Sequence, residues 1–323
     1  MKKILFYFLF IIILTFIIPL FFTNKFKTEE VFSEENMIIK EFNYGEDNKI
    51  KLLHIENGNV EEMNLDEYLY GVIASEMPAS FEIEALKAQA IVARTYTIYQ
   101  IKKGLKHENA DICNSYLCCQ AWISKENRFE KWEETKREEY WNKIKNAVDE
   151  TKGKMILYNN EPINALFHSN SGGKTELPIN VWGGDFPYFQ AIETSGEEEY
   201  SSYNSEVEIS KNDFIKKMIE KYSEFKIDFN NNEIEILEYT DGGRVKKIKI
   251  GNLELSGIDC RKIFELKSAK FNFEILENSV KFTVLGYGHG VGLSQCGSDV
   301  LARQGKKYDE IIKYYYKDVE ISE

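Results

Sequence analysis

Glu76 is the residue of this chain whose type and position best suit proton transfer. It stands in Ala74-Ser75-Glu76-Met77-Pro78, on one helical stripe with Leu65, Leu69 and Val72. Asn64 is a good N-cap for that helix, and Glu67 three residues on completes a capping-box pattern. Pro78 disfavours helical geometry at Met77, so the helix should stop at Glu76 or just before it. A carboxyl in line with core-facing side chains, at the negative end of the helix dipole, is pushed towards its neutral form by both surroundings. A glutamate held protonated near neutral pH is what a general acid requires. The same spacing also lets Glu76 turn outward as the helix frays, the ordinary fate of polar helix ends.

A second group has metal-ligand chemistry. His107, Cys113 and Cys119 have five residues between each, and Cys118 is next door. Thiolates with an imidazole select zinc over metals that prefer oxygen. A Cys113–Cys118 or Cys113–Cys119 disulfide is the competing arrangement. Cys260 and Cys296 stand apart and read as small buried residues. Two Gly-rich segments each carry a histidine: His168-Ser169-Asn170-Ser171-Gly172-Gly173, and Gly286-Tyr287-Gly288-His289-Gly290-Val291-Gly292-Leu293-Ser294-Gln295. Their glycines let backbone approach a ligand or take positive φ. Neither fits a phosphate-cradling pattern. With Glu76 they suggest the walls of a cleft.

The elements that must position these groups follow from period and punctuation. Ser80 looks like the N-cap of a second helix running to about Gly104, with Ile83, Leu86, Ala90, Ala93 and Thr97 as its core stripe. Glu84 has an ordinary first-turn role there. Lys87 and Arg94 lie on another face, aimed at substrate or joined in surface ion pairs. Residues 154–158 and 163–167 read as hairpin strands around a turn at Asn159-Asn160. Glu197-Glu198-Glu199 reads as a solvated loop. Residues 206–285 look like an inserted domain, opening with a helix from Asn212 to Ser223 and turning at Asp241-Gly242-Gly243 between Ile-rich strands. The expected fold is α+β: a mainly helical region at 51–205, a β-rich domain at 206–285, a cleft between them, and a segment at 286–323 returning to that cleft.

Ile4 to Phe22 is an apolar run of 19 residues broken only by Thr15 and Pro19. That suffices to span a bilayer, and no small-residue cleavage site follows it. Residues 1–28 are therefore expected to be an uncleaved membrane anchor, 29–50 a stalk, and the remainder an extracytoplasmic body. The net charge of −12 argues against a nucleic-acid surface. Five cysteines, an odd number, argue against a full disulfide framework.

Tyr70-Gly71-Val72-Ile73-Ala74-Ser75-Glu76-Met77-Pro78-Ala79-Ser80-Phe81, then Glu84-Ala85-Leu86-Lys87-Ala88-Gln89-Ala90 and Ala93-Arg94-Thr95-Tyr96, closely resembles the stage II sporulation protein D family. The two Gly-rich segments continue the likeness. It implies a lytic transglycosylase that cuts peptidoglycan between N-acetylmuramic acid and N-acetylglucosamine during forespore engulfment. The implied substrate is strands lacking stem peptides, and the implied partners are stage II sporulation proteins P and M. Glu76 would be the catalytic acid/base. Arg94, His168, Ser169, Tyr188, His289 and Gln295 would hold the strand and stabilise charge. A structural zinc would sit on His107, Cys113 and Cys119, as in clostridial members. Gln190 stands where a lysine is common in the family. A zinc-dependent wall hydrolase and a non-catalytic wall-binding or amidase-enhancer module are the alternatives.

Overall fold

The computed structural model describes residues 48–322 apart from Leu105 and Asn232. The expected anchor, and the stalk up to residue 47, lie outside the described residues. None of the described helices is long and apolar enough to cross a membrane. The first described strand, β1 (Lys49–Leu53), overlaps the end of the expected stalk and pairs antiparallel with β2 (Val60–Asn64).

Helix α1 (Leu65–Glu76) starts at Asn64, whose side chain accepts from the Asp66 amide at 2.9 Å. It ends at Glu76 because Met77, before Pro78, is extended at φ −122° and ψ 144°. Helix α2 (Ile83–Lys103) is buried nearly all round, from Ala85 through Arg94 to Ile101. Ser80 does not cap it. Asp299, distant in sequence, accepts from the Glu82 amide at 2.6 Å and satisfies a donor at that helix start.

β3 (Ile112–Cys113) joins β1 in parallel and anchors the cysteine loop. Two further helices, α3 (Lys125–Lys131) and α4 (Arg137–Asp149), pack on the first pair. The expected turn is present, with Asn159 and Asn160 both at positive φ, but it joins β4 (Ile156–Tyr158) to β5 (Glu161–Pro162) and not to the run 163–167. The second run is a strand only at β6 (Phe167–His168).

A separate hydrophobic cluster drawn from residues between Ile209 and Val284 organises the next stretch. It contains β7 (Asn204–Ser210), α5 (Lys211–Lys221), β8 (Ile234–Tyr239), β9 (Val245–Ile250), β10 (Leu253–Ser256), α6 (Gly257–Ile263), β11 (Phe271–Ile275) and β12 (Ser279–Leu285). These strands make two antiparallel three-stranded sheets, ordered β10-β9-β8 and β11-β12-β7. The chain then returns to the first core through β13 (Leu293–Ser294), α7 (Gln295–Arg303), α8 (Tyr308–Tyr315) and β14 (Glu320–Ile321). β13 pairs in parallel with β6, and β14 pairs antiparallel with β4. The architecture is α+β with several small sheets.

Candidate active site

Glu76 sits at the mouth of a cleft of about 390 Å³ lined also by Ser75, Met77 to Ser80, Arg128, Trp132, Tyr140 and Ser169. All of these belong to the helical region and the β6 loop. The cleft therefore does not open between the helical and β-rich regions, as the sequence reading expected. The reason is that α3 and α4 supply the facing wall.

The Glu76 side chain is largely enclosed but keeps partial exposure to the cleft. Oε1 accepts from the Ala121 amide at 2.8 Å. Burial raises the carboxyl above the usual glutamate range, against the opposing pull of the Ala121 amide and the Gln295 side chain. Gln295 opens α7 and is 4% exposed. Its amide faces Glu76, yet Nε2 is too far for an ordinary hydrogen bond and is left as a buried donor without a protein partner. Such a donor calls for a ligand or water. The structure thus joins Glu76, Ser169 and Gln295. The Ser169 carbonyl is held by the Cys296 amide at 3.0 Å.

His168 and His289 lie together, ring centroids 5.7 Å apart. Burial drives both imidazoles down, His168 well below its ordinary range and His289 to about 3. Both imidazoles therefore favour the neutral form at physiological pH. His168 Nδ1–H donates to the Val291 carbonyl at 3.1 Å, which leaves Nε2 as a buried acceptor without a protein partner. His289 is satisfied: Nδ1 accepts from the Val291 amide at 3.0 Å, and the ring bonds to the Phe167 backbone.

Two expected substrate contacts are elsewhere. Arg94 has no exposed surface. Its guanidinium donates to the carbonyls of Thr151 (2.8 Å), Val148 (3.3 Å) and Lys154 (3.4 Å), and to Asp66 at 3.4 Å. It ties α2 to the C-terminal end of α4 and to the start of α1. Tyr188 is buried against Tyr158, Phe186 and Phe189, with its hydroxyl accepting from the Asn164 amide at 3.0 Å. Both are scaffold. Lys87 is engaged by Glu84 at 3.0 Å and Glu150 at 2.7 Å, the ion-pair alternative.

Glu197 overturns the solvated-loop reading. It is fully buried and accepts from the Ser171 and Gly173 amides (3.1 and 3.3 Å), the Thr194 hydroxyl (3.0 Å) and the Ser294 hydroxyl. One carboxylate thereby pins both Gly-rich loops. Arg244, from the β8–β9 turn, does the same from the β-rich side. It donates to the carbonyls of Ser171 (3.0 Å) and Lys174 (3.1 Å), with Glu176 at 3.9 Å. Gly290 must be glycine beside it, because a Cβ there would lie 2.0 Å from the guanidinium. Glu197 and Arg244 were missed because their partners are remote in sequence.

The metal-ligand group is assembled. Ligand atoms of His107, Cys113, Cys118 and Cys119 lie within 4.8 Å of one another. Nε2 of His107 is 3.4 Å from Cys119 Sγ and 3.6 Å from Cys118 Sγ, and the two sulfurs are 3.8 Å apart. Tetrahedral zinc with ordinary bond lengths puts its ligand atoms about 3.5–3.8 Å apart. Cys118 therefore joins the expected three, and all five cysteines are free thiols. Burial pushes the Cys119 thiol up to about 12 and raises Cys113, so binding a metal would release protons. Immediately after Cys119, Gln120 donates to Tyr68 (3.2 Å) and Thr97 (3.0 Å), and Ala121 reaches Glu76.

Comparison with known proteins agrees with this geometry in its spread along the chain. The family model described as stage II sporulation protein matches residues 55–158. Stage II sporulation protein D of Bacillus subtilis (strain 168) is 34% identical over 276 residues, covering 85% of this chain and 79% of that protein. Its Bacillus amyloliquefaciens counterpart is 32% identical over 85% and 78%. The amidase enhancer of Bacillus subtilis (strain 168) is 27% identical over 77% of this chain and 39% of its own length. Identity of 34% over 85% of this chain and 79% of that relative makes this chain a member of the stage II sporulation protein D family.

Proposed function

We propose that this chain acts on the cell wall in sporulation as a lytic transglycosylase, cutting peptidoglycan glycan strands to 1,6-anhydro ends during forespore engulfment. The observation that carries the reading is one largely buried carboxyl, raised above its usual range, opening onto a cleft whose lining has no second acidic residue among the described residues. A standard glycoside hydrolase needs two carboxyl groups, the second to attack or to activate water. A transglycosylase can use one carboxyl twice. Protonated Glu76 gives its proton to the glycosidic oxygen as the C1–O bond breaks through an oxocarbenium-like state. The resulting carboxylate takes the proton of the muramic acid C6 hydroxyl, whose oxygen closes on C1, and no water is consumed. The Ala121 amide steadies the carboxylate between the two transfers. Ser169, with the Gln295 donor and the His168 acceptor behind it, would orient the sugars, while His289 would brace the loop.

His107, Cys113, Cys118 and Cys119 would hold zinc as a closed four-ligand site, the structural type. Zinc would supply a rigid cross-link of the loop that carries Ala121. That favours an acid-catalysed lyase over a zinc-dependent hydrolase. Anchoring by residues 4–22, an extracytoplasmic body, strands stripped of stem peptides, and cooperation with stage II sporulation proteins P and M belong to the same proposal. Digestion of purified peptide-free strands by the full chain and by Glu76→Ala tests it. Anhydro-ended products from the unmodified chain alone are expected. Reducing-end products would overturn the transglycosylase, and no products from either would favour a wall-binding role like that suggested by the amidase enhancer's name.

A further inference from the structure

Arg128 lines the Glu76 cleft, yet its own burial gives it no counterion. Among the described residues its guanidinium makes no ion pair, and its buried Nε has no hydrogen-bond partner. Burial lowers its pKa, with no neighbouring carboxylate raising it. Glu76 is not that partner, because neither group perturbs the other's titration. The guanidinium is nonetheless held in place. It lies 4.8 Å from the centre of the Trp132 ring, a cation–π contact. Trp132 is in turn set edge-on to Tyr140 at 5.5 Å, and its carbonyl accepts from Arg137 at 3.1 Å. A half-desolvated, prepositioned cation without an internal partner is unfavourable in the free protein. It is explained by an anion that arrives with the ligand. The planar guanidinium pairs best with a carboxylate, which it can grip through two parallel hydrogen bonds.

A glycan of alternating N-acetylated amino sugars is neutral except at one group: the lactyl ether carboxylate of muramic acid. That carboxylate is ionised only where no peptide is joined to it by an amide bond. We propose that Arg128 is a specificity-determining residue that binds the free lactyl carboxylate of a muramic acid beside Glu76, so that the cleft reads the absence of a stem peptide directly. This rests on the peptidoglycan reading above. Trp132 serves the same purpose by presenting a flat apolar face to the sugar ring that carries the carboxylate.

The test uses the full chain in detergent, with Arg128→Gln and Arg128→Lys, on two preparations of peptide-free strands. One retains its lactyl carboxylates and the other has them converted to primary amides. Cleavage kinetics and equilibrium binding are both measured. For the unmodified chain, KM and Kd should be roughly tenfold to a hundredfold lower on the carboxylate strands, the size expected of a charge-assisted hydrogen bond. Arg128→Gln should give the higher KM on both preparations with kcat little changed, and Arg128→Lys should fall between. Equal affinity of the unmodified chain for both preparations would overturn the proposal, as would an equal loss on both in Arg128→Gln. Charge-dependent binding without any cleavage would uphold Arg128 and sink the transglycosylase reading. Charge-independent binding with anhydro-ended products would do the reverse.

Discussion

Replacing Arg94 by Met separates a scaffold arginine from a substrate-holding one. Met fills much of the same volume but removes every donor. Three carbonyls, of Val148, Thr151 and Lys154, then lose a partner, and the Asp66 carboxylate loses one of its contacts, all around a side chain with no exposed surface. Breaking a buried charged pair by removing one member costs about 3–5 kcal/mol. The carbonyl at 2.8 Å is the best made of the four bonds, and the others at 3.3–3.4 Å are weaker, which argues for the lower half of that range. For a body of this size the melting temperature should fall by roughly 10 °C. The assay is thermal unfolding of the purified full chain in detergent, followed by strand cleavage at a temperature where the variant is still folded. The folded variant should keep kcat within a few-fold. An unchanged melting temperature together with abolished cleavage would refute the reasoning and return Arg94 to the substrate.

Glu76→Gln should lower kcat by about 10²–10⁴ while leaving the fold intact, because Gln can still accept from Ala121; circular dichroism and product analysis check both halves. The raised Glu76 pKa means that the folded state favours the neutral acid, so its contribution to stability is full below the unfolded pKa of about 4.3 and is lost as pH rises through the folded value. Glu76→Gln should accordingly melt like the unmodified chain in acid and above it at neutral to alkaline pH, and wild-type cleavage should decline over the same rise. Cys113→Ser should abolish stoichiometric zinc, measured by elemental analysis, and reduce cleavage about tenfold to a hundredfold without eliminating it; complete loss at an unchanged melting temperature would make zinc a participant in the chemistry. Gly292→Ala should cost about 3 kcal/mol in urea unfolding, since Gly292 has φ +73° and a Cβ there would lie 1.9 Å from the Leu166 carbonyl oxygen.

What could be read from the sequence was what neighbours along the chain decide. Asn64 caps α1, Pro78 ends it at Glu76, and Asn159-Asn160 makes the hairpin turn, each by a rule acting over a few residues. The metal cluster followed from residue type, though the inclusion of Cys118 needed three dimensions. Groups whose partners lie far along the chain were opaque. Arg94 is spaced like a surface residue of α2, but α2 is surrounded, and its carbonyl partners lie more than fifty residues away. Glu197 sits in a triple glutamate that looks solvated, yet hydroxyls and amides from three separate segments enclose it. Asp299 caps a helix that begins 217 residues earlier. Arg128 drew no attention because a basic residue in the last turn of a short helix has an ordinary role there.

The pairing of β6 with β13 has a consequence for the order of events during synthesis. Phe167 and His168 meet Leu293 and Ser294 only after the whole β-rich stretch has been made. Domains fold as units, and the core around the Glu76 helix also takes in α7 and α8, so it cannot close before Gln295 has been made. An unfinished or prematurely terminated copy therefore carries the acid but lacks the Gln295 wall and the Ser294 bond that fixes Glu197. Glu76 faces its Gln295 neighbour only once residue 295 has been made.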